Sequence, residues 1–143
     1  MVHVVVNRGY GGFGLSDKAT RLYAKKKGIT LYSNEDKYGL IHYYTVPVEE
    51  YEALSRDADL LRKEWGFDDP RVRDLQQKIS SVYFYVRDFD RDDSALVDVV
   101  RELGEDAAGE FAELEIVEIP DDVDWFIDEY DGVETIRERH RSW

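Results

Sequence analysis

Two apolar stripes in the middle of the chain repeat at alternating steps of four and three residues. The first is Tyr51, Leu54, Ala58, Leu61 and Trp65, and the second is Val72, Leu75, Ile79 and Val82. Side chains spaced this way share one side of an α-helix, so neither stretch fits a strand. Between them Gly66 ends one helix, Asp69 caps the next and Pro70 opens it,. The stretch therefore reads as a helical hairpin. Such a hairpin has an apolar seam to cover, either with the face of a sheet or with a copy of itself.

The flanking segments carry a different period. Val2, Val4 and Val6 alternate with His3, Val5 and Asn7, which predicts a first strand,. A helix follows from Ser16, a good N-cap, with Ala19, Leu22 and Tyr23 on one face and Gly28 at its left-handed end,. Ile29–Tyr32 reads as a short strand, 33–39 as a polar turn and Leu40–Val46 as a longer strand. The apolar run Val82–Val86 predicts a central strand,. Asp92 or Asp93 caps a helix carrying Leu96, Val99, Val100 and Leu103 and closed by Gly104. Ala112–Ile119 is a strand stopped by Pro120. Trp125–Tyr130 and 133–139 flank Asp131-Gly132, a two-residue hairpin signal, with a helix over the last ten residues as its competitor,. The expected fold is one α+β domain over residues 1–143. It has a mixed sheet packed by helices, the helical hairpin in the middle and a β-hairpin at the C-terminus.

The most suggestive local motif is the loop 8–15, RGYGGFGL. Gly9, Gly11 and Gly14 meet the G-x-G-x-x-G spacing after a strand and before a helix, and Glu35 or Asp36 follows where a ribose-binding acid would lie,. Three features oppose a dinucleotide site. Leu15-Ser16-Asp17 restarts the helix after Gly14, the chain does not continue as alternating strand and helix, and it is short for a doubly wound fold with a substrate site. The loop lacks Gly-Lys-Ser/Thr, so it is no P-loop either. Two readings remain. The glycines allow a tight turn and close packing. Alternatively, loop N–H groups from Gly11, Gly12 and Gly14 and the helix start at Ser16 hold an anion, with Arg8 and Arg21 adding charge and Tyr10 and Phe13 offering faces to a flat ring.

Charge and composition limit the partners. With 32 acidic against 19 basic residues the net charge is −13, which repels nucleic-acid backbones and excludes bulk DNA or RNA binding as an expectation,. A small anion in a local pocket remains compatible, because the contacts that hold it act at short range. The excess acid reads as a solvated surface, as adaptation to high salt (aspartate exceeds glutamate and arginine exceeds lysine) or as imitation of nucleic acid. At 43% hydrophobic residues the chain is expected to be ordered,. It has no cysteine, which fits a reducing, cytoplasmic setting, and no run long enough for a bilayer,. Met1 to Asn7 reads as a strand and not as a signal peptide.

The tail, 128–143, holds the one compact basic cluster, Arg137, Arg139, His140 and Arg141, followed by Trp143. A terminal tryptophan behind a basic run suits docking onto the same domain or a neighbouring subunit. Catalytic signals are weak. His3, His42 and His140 share no metal spacing, a site joining them to acids such as Asp131 or Glu134 is a minor reading, and Ser16 has no nucleophile-elbow context. No catalytic residue, metal or cofactor is assigned.

Three segments, 7–16 (NRGYGGFGLS), 103–120 (LGEDAAGEFAELEIVEIP) and 129–143 (EYDGVETIRERHRSW), resemble a small, mostly uncharacterised family of proteins encoded by tailed bacteriophages and related viruses. The resemblance covers about half the chain and largely omits the helical hairpin. Gly9 stands where a cysteine is common in that family, Ala108 where an asparagine is, and Thr135 where an aromatic is. The first difference argues against an essential thiol, and it makes the literal glycine motif a property of this chain alone. The resemblance implies a small viral protein that acts against host defence. It suits a non-enzymatic sponge that sequesters a small phosphorylated, nucleotide-type ligand in a homo-oligomer, in the host cytoplasm. On that reading the ligand contacts are Arg8, Tyr10, Gly11, Gly12, Phe13, Gly14, Ser16, Arg21, Arg139, His140, Arg141 and Trp143. The alternatives are an acidic protein–protein inhibitor of a host factor and a nucleotide-processing enzyme or dinucleotide-binding protein.

Overall fold

The structure is a computed structural model that describes residues 1–139. It is α+β, with elements in the order β1 (Val2–Asn7), α1 (Asp17–Lys26), β2 (Tyr32–Glu35), β3 (Ile41–Tyr44), α2 (Val48–Trp65), α3 (Pro70–Val82), β4 (Tyr83–Phe84), α4 (Ser94–Leu103), β5 (Leu114–Ile119), β6 (Trp125–Tyr130) and β7 (Val133–Glu138). The helical hairpin and the C-terminal β-hairpin both form. The strands do not share one mixed sheet; the described ones make three small antiparallel ladders, β1-β5, β2-β3-β4 and β6-β7. No described helix is long and apolar enough to cross a membrane. The chain divides into two compact units, residues 1–28 with 86–143, and residues 29–85.

In the first unit β1 pairs with β5 along its whole length, from Val2 opposite Ile119 to Asn7 opposite Leu114. Val4, Val5 and Val6 are all fully buried, so both faces of this strand are covered and the alternation seen in the sequence understates its burial,. Its helices supply Ala19, Tyr23 and Ala24 from α1 and Leu96, Val97, Val99 and Val100 from α4 to the core. Ser16 caps α1, accepting a hydrogen bond from the Ala19 N–H, and Gly28 follows at φ +71,. Asp93 caps α4 through the Ala95 N–H and also accepts the Tyr23 hydroxyl at 2.7 Å and Lys27 Nζ at 3.0 Å. One acid thus ties both helices together. The β6-β7 turn has Asp131 and Gly132 at φ +51 and +85, the two left-handed positions that a tight hairpin requires,.

In the second unit two strands fall elsewhere than their sequence suggests. Strand β2 takes Tyr32–Glu35, so that Ile29, Thr30 and Leu31 of the expected strand drop out and 33–35 of the expected turn join it, because the turn tightens onto 36–39. Asp36 Oδ1 accepts the N–H groups of Tyr38 and Leu40, and Gly39 sits at φ +82, so Glu35 pairs directly with Ile41. The expected strand Val82–Val86 shrinks to Tyr83–Phe84, opposite Tyr44 and Tyr43, and Val86–Asp88 becomes a 3-10 turn. The run is trimmed at both ends, because α3 continues through Val82 and the 3-10 turn begins at Val86. The Tyr44 ring packs tilted against that of Tyr51 with centroids 4.3 Å apart, covering the start of α2 from the sheet.

Candidate functional site

The glycine loop between β1 and α1 is built by backbone packing across the first unit. A Cβ on Gly9 would come within 2.6 Å of the Phe111 carbonyl oxygen, and one on Gly11 would run into the Phe111 Cβ. On the other side a Cβ on Gly132 would lie 2.6 Å from the Gly12 nitrogen and against the Tyr10 carbonyl oxygen. The loop is wedged between residues 109–113 and the β6-β7 turn, and glycine is what permits it. Asn7, fully buried, locks the entrance. Its Nδ2 donates to the carbonyls of Gly9 and Gly132, each at 2.7 Å, and its Oδ1 accepts the N–H groups of Gly9 and Glu113.

Beneath the loop lies an ion pair that the sequence did not single out. The Glu134 carboxylate accepts Arg91 at 2.6 and 2.8 Å and the Asn7 N–H at 2.8 Å, and both side chains are largely buried. Arg91 stacks over the Phe13 ring with its guanidinium carbon 3.5 Å from the centroid, while the Val5 N–H donates to the Arg91 carbonyl. The free edge of β1 is therefore satisfied by a carboxylate and a loop instead of by another strand.

This arrangement sorts the expected ligand residues. Phe13 is 6% exposed under Arg91 and belongs to the core, so it offers no face to a ring. Ser16 spends its hydroxyl on the Ala19 N–H and the Asp106 carbonyl, and Asp17, an acid, occupies the first turn of α1. Arg21 pairs with that Asp17. The helix start is thus not a ready anion site. Arg8 is partly exposed, but its Nε donates to Glu115 at 2.8 Å and its Nη1 to the Glu134 carbonyl at 2.7 Å. The N–H of Gly11 points to the Phe111 carbonyl, Gly12 takes φ +87, and the Gly14 carbonyl accepts the Gly109 N–H. Tyr10 stands out at 84% exposed. In the tail, Arg139 donates to Asp124 at 2.8 Å and lies over Phe126, on the β6-β7 hairpin. His140, Arg141 and Trp143 lie outside the described residues.

The structure adds Phe111 to the loop's surroundings. It has φ +68, a conformation that costs a non-glycine residue of order 1 kcal/mol or more, and yet it is 74% exposed,. Neither backbone ease nor burial accounts for its ring. Together with Tyr10 it borders an open groove of about 430 Å³ whose other walls are Arg8, Gly9, Gly11 and Glu113. A second groove of about 300 Å³ on the far side of Tyr10 is lined by Gly12, Arg87, Glu129 and Gly132 among others. Arg87 is exposed and forms no ion pair among the described residues. Nothing in the sequence around 109-GEFAE-113 announces a left-handed phenylalanine, because the loop that forces it is a hundred residues away.

No group of three or more metal-ligating side chains occurs among the described residues. His3 pairs with Glu118, and His42 with Asp36 and the Tyr83 hydroxyl, so the two described histidines serve separate local networks. Strand β1 has its ladder partner in antiparallel β5, which leaves the glycine spacing outside the parallel βαβ unit of a dinucleotide site,. Comparison with protein-family models, curated proteins and solved structures finds no match.

Proposed function

We propose that this chain is a non-enzymatic binding protein that captures a small, ring-bearing phosphorylated ligand of the nucleotide type at the glycine-loop groove. The observation that carries the reading is Phe111, a strained and solvent-exposed aromatic placed across a groove from exposed Tyr10. Two aromatic faces that the fold leaves in water suit the stacking of a flat ring, worth about 1–3 kcal/mol per base. The groove's size is in the range of small-molecule sites. Charge for a phosphate would come from Arg8 on one side of Tyr10 and Arg87 on the other. The resemblance to viral proteins supplies the setting, capture of a host signal in the cytoplasm.

The test is calorimetry with a panel of linear and cyclic nucleotides against wild type, Tyr10→Ala and Phe111→Gly. Glycine accepts the left-handed backbone at 111, so Phe111→Gly removes the ring without new strain. Micromolar binding to wild type, weakened roughly 5- to 100-fold by either change, is expected. A wild type that binds none of the panel defeats the proposal. The engagement of Arg8 by Glu115 favours a second reading, an acidic inhibitor of a basic protein. On that reading no nucleotide binds, and a partner protein is lost on Tyr10→Ala.

A further inference from the structure

Strands β1 and β5 form a two-stranded ladder whose two outer edges are treated differently. Along β1 the outward groups are capped, the Val5 N–H by the Arg91 carbonyl and the Asn7 N–H by Glu134. Val5 and Asn7 therefore point away from β5. In an antiparallel ladder that leaves Val2, Val4 and Val6 to exchange backbone bonds with Ile119, Val117 and Glu115,. The alternate residues of β5, Leu114, Ile116 and Glu118, then turn their N–H and C=O groups outward. None of these groups has a hydrogen-bond partner among the described residues. A row of unpaired backbone groups at every second residue is completed by another strand, not by a helix or a side chain.

We propose that the open edge of β5 pairs antiparallel with β5 of a second copy of the chain, about a twofold axis through Ile116. The order of side chains selects both that occupant and that register. With Ile116 opposite its own copy, Leu114 lies opposite Glu118 and Glu115 opposite Val117, so no carboxylate faces another along 114–118,. Outward backbone groups meet outward groups at 114, 116 and 118, as a ladder requires. An axis through Glu115 would set that residue against itself. One through Val117 would put Leu114 opposite Pro120, which has no N–H to give,. Two of the edge's glutamates are already held within their own copy, Glu115 by Arg8 at 2.8 Å and Glu118 by His3 at 3.0 Å. A bare acidic strand would call for a basic peptide, whereas one whose acids are already engaged suits a strand like itself. Leu114, Ile116, Val117 and Ile119 are each only partly buried, so the added strand also takes apolar surface out of water,. The contact uses the same patch on both copies and closes at two.

The chain has no cysteine, so an introduced thiol reports the register without background. Opposite Cα atoms of a bonded antiparallel pair stand about 5.5 Å apart, within the span of a disulfide. Ile116→Cys should therefore cross-link into a covalent dimer under mild oxidation. Leu114→Cys and Glu118→Cys should not, because an axis through 116 sets each roughly 13 Å from its own copy. Pairing along one short strand is a small contact of the weak class, so sedimentation equilibrium of wild type is carried to the highest soluble concentration. A monomer–dimer equilibrium is expected there. Ile116→Pro removes an N–H that β1 does not use, and should weaken the dimer roughly tenfold or more. Circular dichroism and the protection of the Val4 and Val6 amides should stay as in wild type. A wild type that remains monomeric throughout overturns the proposal. So does a thiol at 114 or 118 that cross-links as readily as one at 116, or an Ile116→Pro variant that dimerises like wild type.

Discussion

The two units of this chain are stabilised in opposite ways. The first buries a continuous core, Val4 to Val6 against Leu96, Val97, Val99 and Val100, and stitches its loops down with Asn7, Arg91 and Glu134. The second buries only Tyr43, Tyr44, Ala58 and Val72 among its described residues and relies on tilted and edge-to-face tyrosine contacts and exposed ion pairs. Side chains in the first unit are already surrounded, so their contribution is fixed by the fold. Those of the second remain half in water, where burial stabilises incompletely and exposed ion pairs contribute about 0–1 kcal/mol each. The contrast teaches where function can be sought. The first unit places a strained Phe111 and an exposed Tyr10 on a well-buried core, whereas the second leaves most of its helical apolar side chains partly exposed.

The sharpest way to break this comparison is to cut the buried staple. Glu134→Ala leaves the Arg91 guanidinium without its carboxylate and the Asn7 N–H without its acceptor, so a loss of about 3–5 kcal/mol is expected in urea unfolding. Loss of half a kilocalorie or less would mean that the pair is incidental. In the core itself, Leu96→Ala should cost about 2–5 kcal/mol, and Leu61→Ala on half-exposed α2 clearly less. Equal costs would erase the distinction between the units.

A smaller effect tests the wedge that shapes the loop. Gly132 has φ +85, and a Cβ there would press on Tyr10 and Gly12. Gly132→Ala should therefore destabilise the first unit by about 1–3 kcal/mol and shift the Tyr10 resonances. Gly12→Ala makes the control, since φ is equally positive at +87 but a Cβ there meets nothing within 4 Å. It should cost about 1 kcal/mol, the backbone share alone. If the two variants behave alike, packing of the turn against the loop contributes nothing.

Most of the elements were legible in the sequence, and the site was legible only in outline. Ser16, Gly28, Asp69, Pro70, Asp93 and Asp131-Gly132 act locally, through caps and turns of a few residues, and each does what its type and place suggest. The glycine loop was legible as special, but the reason lay elsewhere in the chain. Gly9 and Gly11 answer to Phe111, and Gly132 answers to Tyr10 and Gly12, partners more than ninety residues away that no local pattern encodes. The same distance exchanged the aromatics. Phe13, beside the loop glycines, went under Arg91, and Phe111, just ahead of the expected strand 112–119, came out into water. Strand β4 came out shorter than the expected 82–86, because β propensity marks a segment as suitable without saying how far its neighbour β3 runs alongside it,.

Titration separates the units at opposite ends of the pH scale. In the first unit burial, followed by the hydrogen bond to Asp93, pushes the Tyr23 hydroxyl far above its usual range. Its stabilising proton is fully held below the unfolded value near 10 and is lost as pH rises beyond it, when the unfolded state ionises first. Alkaline unfolding of Tyr23→Phe should therefore begin at higher pH than that of wild type, read by far-ultraviolet circular dichroism. An unchanged alkaline midpoint would detach Tyr23 from the transition.

The smallest effect belongs to the second unit. The hydrogen bond from His42 Nε2, at 2.8 Å, holds the Asp36 carboxyl below the usual carboxylate value against an opposing desolvation, with the N–H groups of Leu40 and Tyr38 adding to it. The sign is opposite to that of Tyr23. A depressed carboxyl contributes stability that is complete above the unfolded value of about 4 and disappears as pH falls through the folded one. Between those values the β2-β3 turn should loosen while the first unit's buried strand stays protected. Hydrogen exchange can see this, with the amides of Tyr38 and Leu40 losing protection on acidification before that of Val5 does,. Asp36→Asn keeps the shape and one acceptor but removes the titration, so its turn amides should exchange with little dependence on pH in that window after correction for intrinsic rates. If wild type and Asp36→Asn lose turn protection in parallel, Asp36 is not what fixes the turn, and the acid sensitivity of the second unit comes from its many exposed carboxylates instead.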